Sequence, residues 1–253
     1  MVGPRNVTSY DGVPPSELER RLGAPRCLVY ESVTSTLDVV HECAEQGAAE
    51  GTLVLAEEQV SGRGRHGKRW HSAPGAGIWL GLLRRPARLT ESGLIALRVG
   101  LAVGEALDAL QVESRIKWPN DIVVCDRKLG GILCETRSGE ARGEWIAIGI
   151  GINIRGRLPH ELGDRAICLE SVLPNPSRLD VLDRLVPLLM QLSDAPSLTD
   201  AELSAFRARD WLRGRQVVAP VAGTVVGIAA DGTLLVESSG EVTRIRGGTV
   251  VPA

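Results

Sequence analysis

Three short motifs hold the residues best suited to chemistry. Gly62-Arg63-Gly64-Arg65-His66-Gly67-Lys68-Arg69-Trp70, Lys117-Trp118-Pro119-Asn120-Asp121 and Lys128-Leu129-Gly130-Gly131 each join positive charge to glycine or proline turns. Cations beside bare backbone N–H groups are what an anion requires. A fourth piece, Gly149-Ile150-Gly151-Ile152-Asn153-Ile154, is a glycine-studded strand on which a flat ligand can lie close to the backbone. The first motif spells G-x-G-x-x-G, but a dinucleotide fold needs a helix directly after it, and Ala73-Pro74-Gly75 cannot sustain one. The loop suits phosphate and carboxylate anions instead, with glycines permitting close approach and Arg63 and Arg65 neutralising charge.

Taken alone, Lys117 to Asp121 reads as a strand-ending turn in which Asn120 and Asp121 bond their own backbone. Lys128 follows shortly after. If the two segments pair as strands across Asp126-Arg127, Lys117 and Lys128 converge on one anion. Only Lys68, Lys117 and Lys128 are lysines among 29 basic residues, and all three fall in these motifs. A GC-rich genome accounts for the arginine excess but not for that clustering, which suggests sites needing a compact point charge. His66 and His71 lie beside the basic loop. His41 and His160 read as structural or surface residues, and Trp79, Trp145 and Trp211 as core.

The elements that must position these groups follow from periodicity. Strands are expected at Arg26–Glu31, Thr52–Glu57, Gly77–Leu83, Arg115–Trp118, Ile122–Cys125, Gly130–Glu135 and Trp145–Ile154. A helix should open at Ser35-Thr36, another should run from Thr90 to Leu110 with Thr90 as N-cap and Glu91 behind it, and two more should cover about 178–193 and 200–210. The fold class expected is α+β: a mixed, mostly antiparallel sheet with helices packed on one face. From Arg215 onward apolar and polar residues alternate across short strands with Asp231-Gly232 and Ser239-Gly240 turns, the pattern of a small SH3-like β-barrel. The division expected is an N-terminal arm and short helix over 1–25, a catalytic domain over 26–210 and the barrel over 211–253. Met1 to Pro15 reads as a loose arm leading into a helix from Ser16 to Leu22.

Composition sets limits. A chain of 253 residues with 43% hydrophobic content can bury an ample core. No apolar run spans a bilayer and no signal pattern opens the chain. Five cysteines without CxxC spacing favour reduced core thiols in the cytoplasm. The net charge of −2 argues against whole-molecule attraction to nucleic acid.

Ser35 to Ile154 resembles the biotin protein ligase family: a serine-threonine pair, a glutamine shortly before GRGR, the KWPND turn, a Lys-Leu-small-Gly-Ile-Leu strand, and GIN. The resemblance implies that biotin and ATP, with magnesium, form biotinyl-5′-adenylate, which a lysine of a carboxylase's biotin carboxyl carrier domain then attacks. It also implies roles. Ser35, Thr36, Gln59, Arg63, Gly64, Arg65, Lys128 and Gly131 would bind biotin. Gly62, Arg63, Arg65, Trp70, Lys117, Asn120, Asp121, Gly149 and Asn153 would bind ATP or the adenylate. Trp70 would stack on adenine, and Lys128 and Arg65 would act at the chemistry. The metal ligands stay open, as does the choice between monomer and homodimer. Leu37 stands where the family commonly has asparagine. Too few residues precede Arg26 for a helix-turn-helix domain, so a non-repressing type without DNA or membrane partners is expected.

Two rivals differ in sequence. A lipoate or octanoate ligase would carry a double arginine leading into Gly-Gly-Gly, which is absent from this chain. A nucleic-acid module using Arg63 to Arg69 would interleave aromatics with its charge and be basic overall.

Overall fold

Strand β3 (Thr52–Gln59) explains the layering: Leu53 and Leu55 pack into one apolar cluster, Val54 and Ala56 into another. Alternate side chains of a strand point to opposite faces, so this sheet is covered on both. The computed structural model describes residues 5–86, 92–140 and 142–253. Its larger sheet has eight strands: β1 (Arg5–Asn6), β2 (Arg26–Val33), β3, β4 (Gly77–Arg84), β5 (Arg115–Lys117), β6 (Asp121–Val124), β7 (Arg127–Gly139) and β8 (Gly143–Asn153). They lie in the order β1-β2-β3-β4-β8-β7-β6-β5. β2 and β3 run parallel, and every other neighbouring pair is antiparallel.

The expectation of helices on one face is corrected. α1 (Pro15–Leu22), α3 (Ser92–Asp108), α4 (Arg178–Met190) and α5 (Asp200–Arg209) share one cluster with Leu80, Leu82, Ile146 and Ile148. α2 (Thr36–Glu45) lies on the other face, with Leu37, Val40 and Ala44 against Val54, Ala56 and Ala147. Gly81 admits it: a Cβ there would lie 2.7 Å from a Val40 methyl. The N-terminal arm is not loose where it is described. Val7 N–H donates to the Val29 carbonyl, Tyr10 is fully buried, and the buried Arg178 guanidinium binds Asp11 and Glu57. Thr90 and Glu91, the expected cap of α3, lie outside the described residues.

The remaining strands, β9 (Gln216–Ala219), β10 (Gly223–Ile228), β11 (Leu234–Ser238), β12 (Glu241–Ile245) and β13 (Val251–Pro252), form an antiparallel sheet in the order β12-β11-β10-β9-β13. Its Val217, Val225, Leu234 and Val236 join the cluster that holds α3 and α4, and Trp118 Nε1 donates to the Gly232 carbonyl at 2.9 Å. Among the described residues no helix is long and apolar enough to cross a membrane.

Candidate active site

The basic loop between β3 and β4 folds back on itself. Trp70 N–H donates to the Gly62 carbonyl at 2.8 Å and Gly64 N–H to the Lys68 carbonyl at 2.7 Å. Only a 3-10 turn at Arg65–Gly67 interrupts it, so no helix follows the glycines and a dinucleotide site is excluded. At its base a Cβ on Gly62 would lie 2.6 Å from the Trp70 carbonyl oxygen. The indole of Trp70 lies against the sheet, where a Cβ on Gly151 would come within 2.5 Å of it and one on Gly131 within 3.1 Å. Its Nε1–H is buried without a hydrogen-bond partner among the described residues.

Beside the loop, Ser35 caps α2 and accepts from Leu37 N–H. Gln59 Oε1 accepts from the Thr36 backbone N–H at 2.9 Å, from Thr36 Oγ1 at 3.2 Å and from Ser35 Oγ at 3.4 Å. Gln59 Nε2 donates to Ser72 Oγ at 2.8 Å. Ser35 and Thr36 are almost wholly buried, so this cluster offers directed donors and acceptors at the floor of a pocket. Leu37, also buried, packs on Gly149.

β5, β6 and β7 carry the lysines. The β6–β7 turn falls at Cys125-Asp126, one residue earlier than expected, because both residues adopt positive φ and make the two-residue turn that suits a twisted hairpin. Cys125 is accordingly exposed and is not a core thiol. Lys117 and Lys128 do converge, and the carboxylate between them is Asp121. Lys128 Nζ lies 2.6 Å from Asp121 Oδ1 and 5.1 Å from the centre of the Trp70 ring. Burial lowers the Lys117 pKa, Asp121 opposes that shift and Lys128 adds to it. Lys117 also stands 5.3 Å over Trp211, which carries Arg215 at 4.0 Å and donates from Nε1 to Asp126. Trp211 therefore packs at the edge of the core and also forms a wall of the cleft, whereas Trp79 and Trp145 are buried as expected.

The two loop arginines differ. Arg65 Nη1 reaches Asn120 Oδ1 and the Gly248 carbonyl, each at 3.4 Å, and burial lowers its pKa. Among the described residues it has no ion-pair partner. Arg63 contacts Asp38 at 2.5 Å and Glu135 at 3.2 Å. Those carboxylates outweigh burial and keep its pKa raised. Asn120 braces the cleft by donating from Nδ2 to the Ile132 carbonyl at 2.7 Å. Asn153 donates to the Ile167 carbonyl at 3.3 Å.

One open cavity of about 1050 Å³ is lined by every residue expected to bind biotin or nucleotide except Gly62, which sits behind it at the loop base. His66 and His71 also line it; His41 is buried and His160 lies outside it. Sequence reasoning missed three residues of the cavity wall, Trp211, Arg157 and Arg165, and Ser72, which holds Gln59 from behind. Ser72 had a signal, since it follows the basic loop directly. Among the described residues no three His, Cys, Asp or Glu side chains group to hold a metal.

The fold and cleft fall in a known class, the biotin/lipoate A/B protein ligase family, whose model matches residues 29–153. A bifunctional ligase/repressor of Bacillus subtilis is 33% identical over 232 residues, covering 86% of this chain and 71% of that protein. The homologous protein of Bacillus spizizenii is 41% identical over 148 residues, covering 56% of this chain but only 46% of its own length. A biotin protein ligase of Aquifex aeolicus, solved with biotin and ATP, superposes with a TM-score of 0.75 at 25% identity, over 90% of this chain and 99% of that one. This chain belongs to the biotin protein ligase family.

Proposed function

We propose that this protein joins biotin to a lysine of a biotin carboxyl carrier domain in two steps. An oxygen of the biotin carboxylate attacks the α-phosphorus of ATP, forming the biotinyl-5′-adenylate anhydride and releasing pyrophosphate. The neutral amine of the carrier lysine then attacks the acyl carbon. An amide forms, AMP leaves with the anhydride oxygen, and the amine proton is lost to solvent.

One observation carries this reading: the Ser35, Thr36 and Gln59 pocket shares a cavity with Arg65, Lys117 and Lys128. The first step brings two anions together, and preorganised cations remove their repulsion and stabilise charge in the transition state. No enzyme nucleophile is needed. Ser35, Thr36 and Gln59 orient the biotin head group over Gly131, and Lys128 stabilises the reacting carboxylate oxygen. Arg65 and Lys117 hold phosphate oxygens. Trp70 covers the adenine, with Gly149 and Asn153 toward the adenylate and Asn120 and Asp121 bracing the site. Magnesium would serve as the counter-ion of the triphosphate. Such an ion takes one or two carboxylates from a protein, and Asp121 faces the cavity as the candidate ligand. The C-terminal sheet is read as a small SH3-like barrel whose 248–252 segment closes one wall. The cytoplasm suits such a reaction and free thiols like Cys27 and Cys134, both pushed up to about 12 chiefly by burial. DNA has no part in this reading.

Biotin should stimulate exchange of labelled pyrophosphate into ATP in the presence of magnesium, and lipoate or octanoate should not. Equal stimulation by lipoate would overturn the assignment.

A further inference from the structure

All three nitrogens of the Arg63 guanidinium already donate to carboxylates. Nη1 reaches Asp38 Oδ1 at 2.5 Å, Nε reaches Glu135 Oε1 at 3.3 Å and Nη2 reaches Glu135 Oε2 at 3.2 Å. Those carboxylates come from two different elements, the first turn of α2 and the middle of β7.

Glu135 is itself fixed from behind. The indole N–H of Trp145 lies 2.9 Å from His41 Nδ1, and an indole nitrogen only donates, so Nδ1 must be the acceptor. The ring proton therefore sits on Nε2, which is 3.0 Å from Glu135 Oε2 and donates to it. His41 is 1% exposed and Trp145 1%, so this pair cannot drift. Burial, with Arg137 and Arg63 adding to it, lowers the His41 pKa and keeps the ring neutral against the pull of Glu135.

Arg63 also occupies the stem of the ligand loop. Its backbone bridges to Arg69, and its neighbours Gly62 and Gly64 make the hydrogen bonds that close the loop. Fixing Arg63 therefore fixes the stem while Arg65 and Trp70 project from it.

We propose that the Arg63 guanidinium is a positioning group and not a ligand for biotin or phosphate: Asp38 and Glu135 clamp it, and His41 with Trp145 hold Glu135 in place. The clamp docks the loop on α2 and β7, and Arg65, with no ion pair among the described residues, supplies the charge. This inference rests on the ligase reading and revises the role that the family resemblance implied for Arg63.

The sign of one effect decides between the roles. If Arg63 were an anion-binding cation masked by its carboxylates, Glu135→Gln or Asp38→Asn would unmask it and lower the KM for biotin or ATP. A clamp requires the opposite. Losing a charged hydrogen bond at the stem should raise the KM for biotin on the order of tenfold, with little change in kcat. Native protein should also be cut faster by trypsin after Arg65, Lys68 or Arg69, while the main thermal transition moves by less than about 2 °C. Asp38→Asn, at a half-exposed position, keeps the test available if Glu135→Gln folds poorly. Arg63→Ala and the Arg63→Ala, Glu135→Gln double variant should lose equal amounts, because both remove the same clamp.

A lowered KM in either carboxylate variant, additive losses in the double variant, or unchanged loop cleavage would overturn the proposal. Absence of biotin-stimulated exchange in the parent protein would instead overturn the ligase reading, and the trypsin comparison would still decide the clamp.

Discussion

Lys128 lies 2.6 Å from Asp121 in a cleft it shares with Lys117 and Arg65, so its charge is held in place before a ligand arrives. Preorganised charge costs no rearrangement when the reaction occurs, which is why one such group can carry much of a rate. Lys128→Ala should reduce biotin-dependent pyrophosphate exchange on the order of 10²–10³. Steady-state kinetics checks this, and a variant within twofold of the parent would remove Lys128 from the chemistry. At this scale residue types were legible in the sequence and their pairings were not. The lysine cluster pointed to an anion, yet the carboxylate at its centre is Asp121, four residues from Lys117 in the same turn. Trp211 read only as core because nothing in its neighbourhood shows that Lys117, far back along the chain, stands over its ring. Arg63 and Arg65 look equivalent in GRGR, and only tertiary placement of Asp38 and Glu135 separates them.

The elements were legible to within a few residues because their periodicity is clean; the sides on which helices pack were not. β8 reads Ile146-Ala147-Ile148-Gly149-Ile150-Gly151, large and small residues alternating without a polar face. Such a strand is buried on both sides. Its isoleucines face α3 and α4, and its small residues make room for α2, Leu37 and Trp70. The loop over those glycines carries a prediction. Trp70 rests where Gly131 and Gly151 leave space, with an Nε1–H unpartnered among the described residues. Binding of biotin and ATP should move the indole from the sheet onto the adenine. Titration with both should change tryptophan emission, and the change should vanish in Trp70→Ala. An unaltered signal in the parent, with binding established by calorimetry, would contradict this closure.

Across the whole molecule, the two sheets share one apolar core, and the junction between them holds a strained group. Asp210, directly after α5, is 7% exposed; its Oδ1 accepts from Leu212 N–H and its Oδ2 has no partner among the described residues. Burial pushes its carboxyl up to about 6, although backbone N–H groups of Leu212 and Arg213 oppose the shift. A carboxyl raised in the folded state adds stability that is complete below its unfolded value and is lost as pH rises through the folded one. Ionised Asp210 should therefore weaken the fold near neutrality. Asp210→Asn cannot ionise, so its stability relative to the parent should improve between pH 4 and pH 7 by about 2–3 kcal/mol. Urea unfolding at several pH values measures this, and a difference independent of pH would refute it. The seam between sheets was visible as a change of texture near Arg215, but the fused core was not, because short alternating strands say nothing about what their apolar face covers.

The lysine census bears on the whole surface as well. An activated acyl group modifies accessible amines and spares arginine, which stays protonated. Three lysines, all of them lining the ligand cavity, leave the rest of the surface without a lysine for the intermediate to modify. The most direct measurement of the account is therefore intact-mass analysis after the protein is mixed with biotin, ATP, magnesium and a biotin carboxyl carrier domain. One biotin is expected on the carrier, lost when the acceptor lysine is changed to arginine and absent when lipoate replaces biotin, while the enzyme stays unmodified. A carrier that stays unmodified with biotin but accepts lipoate, or biotin found on the enzyme and not on the carrier, would contradict it.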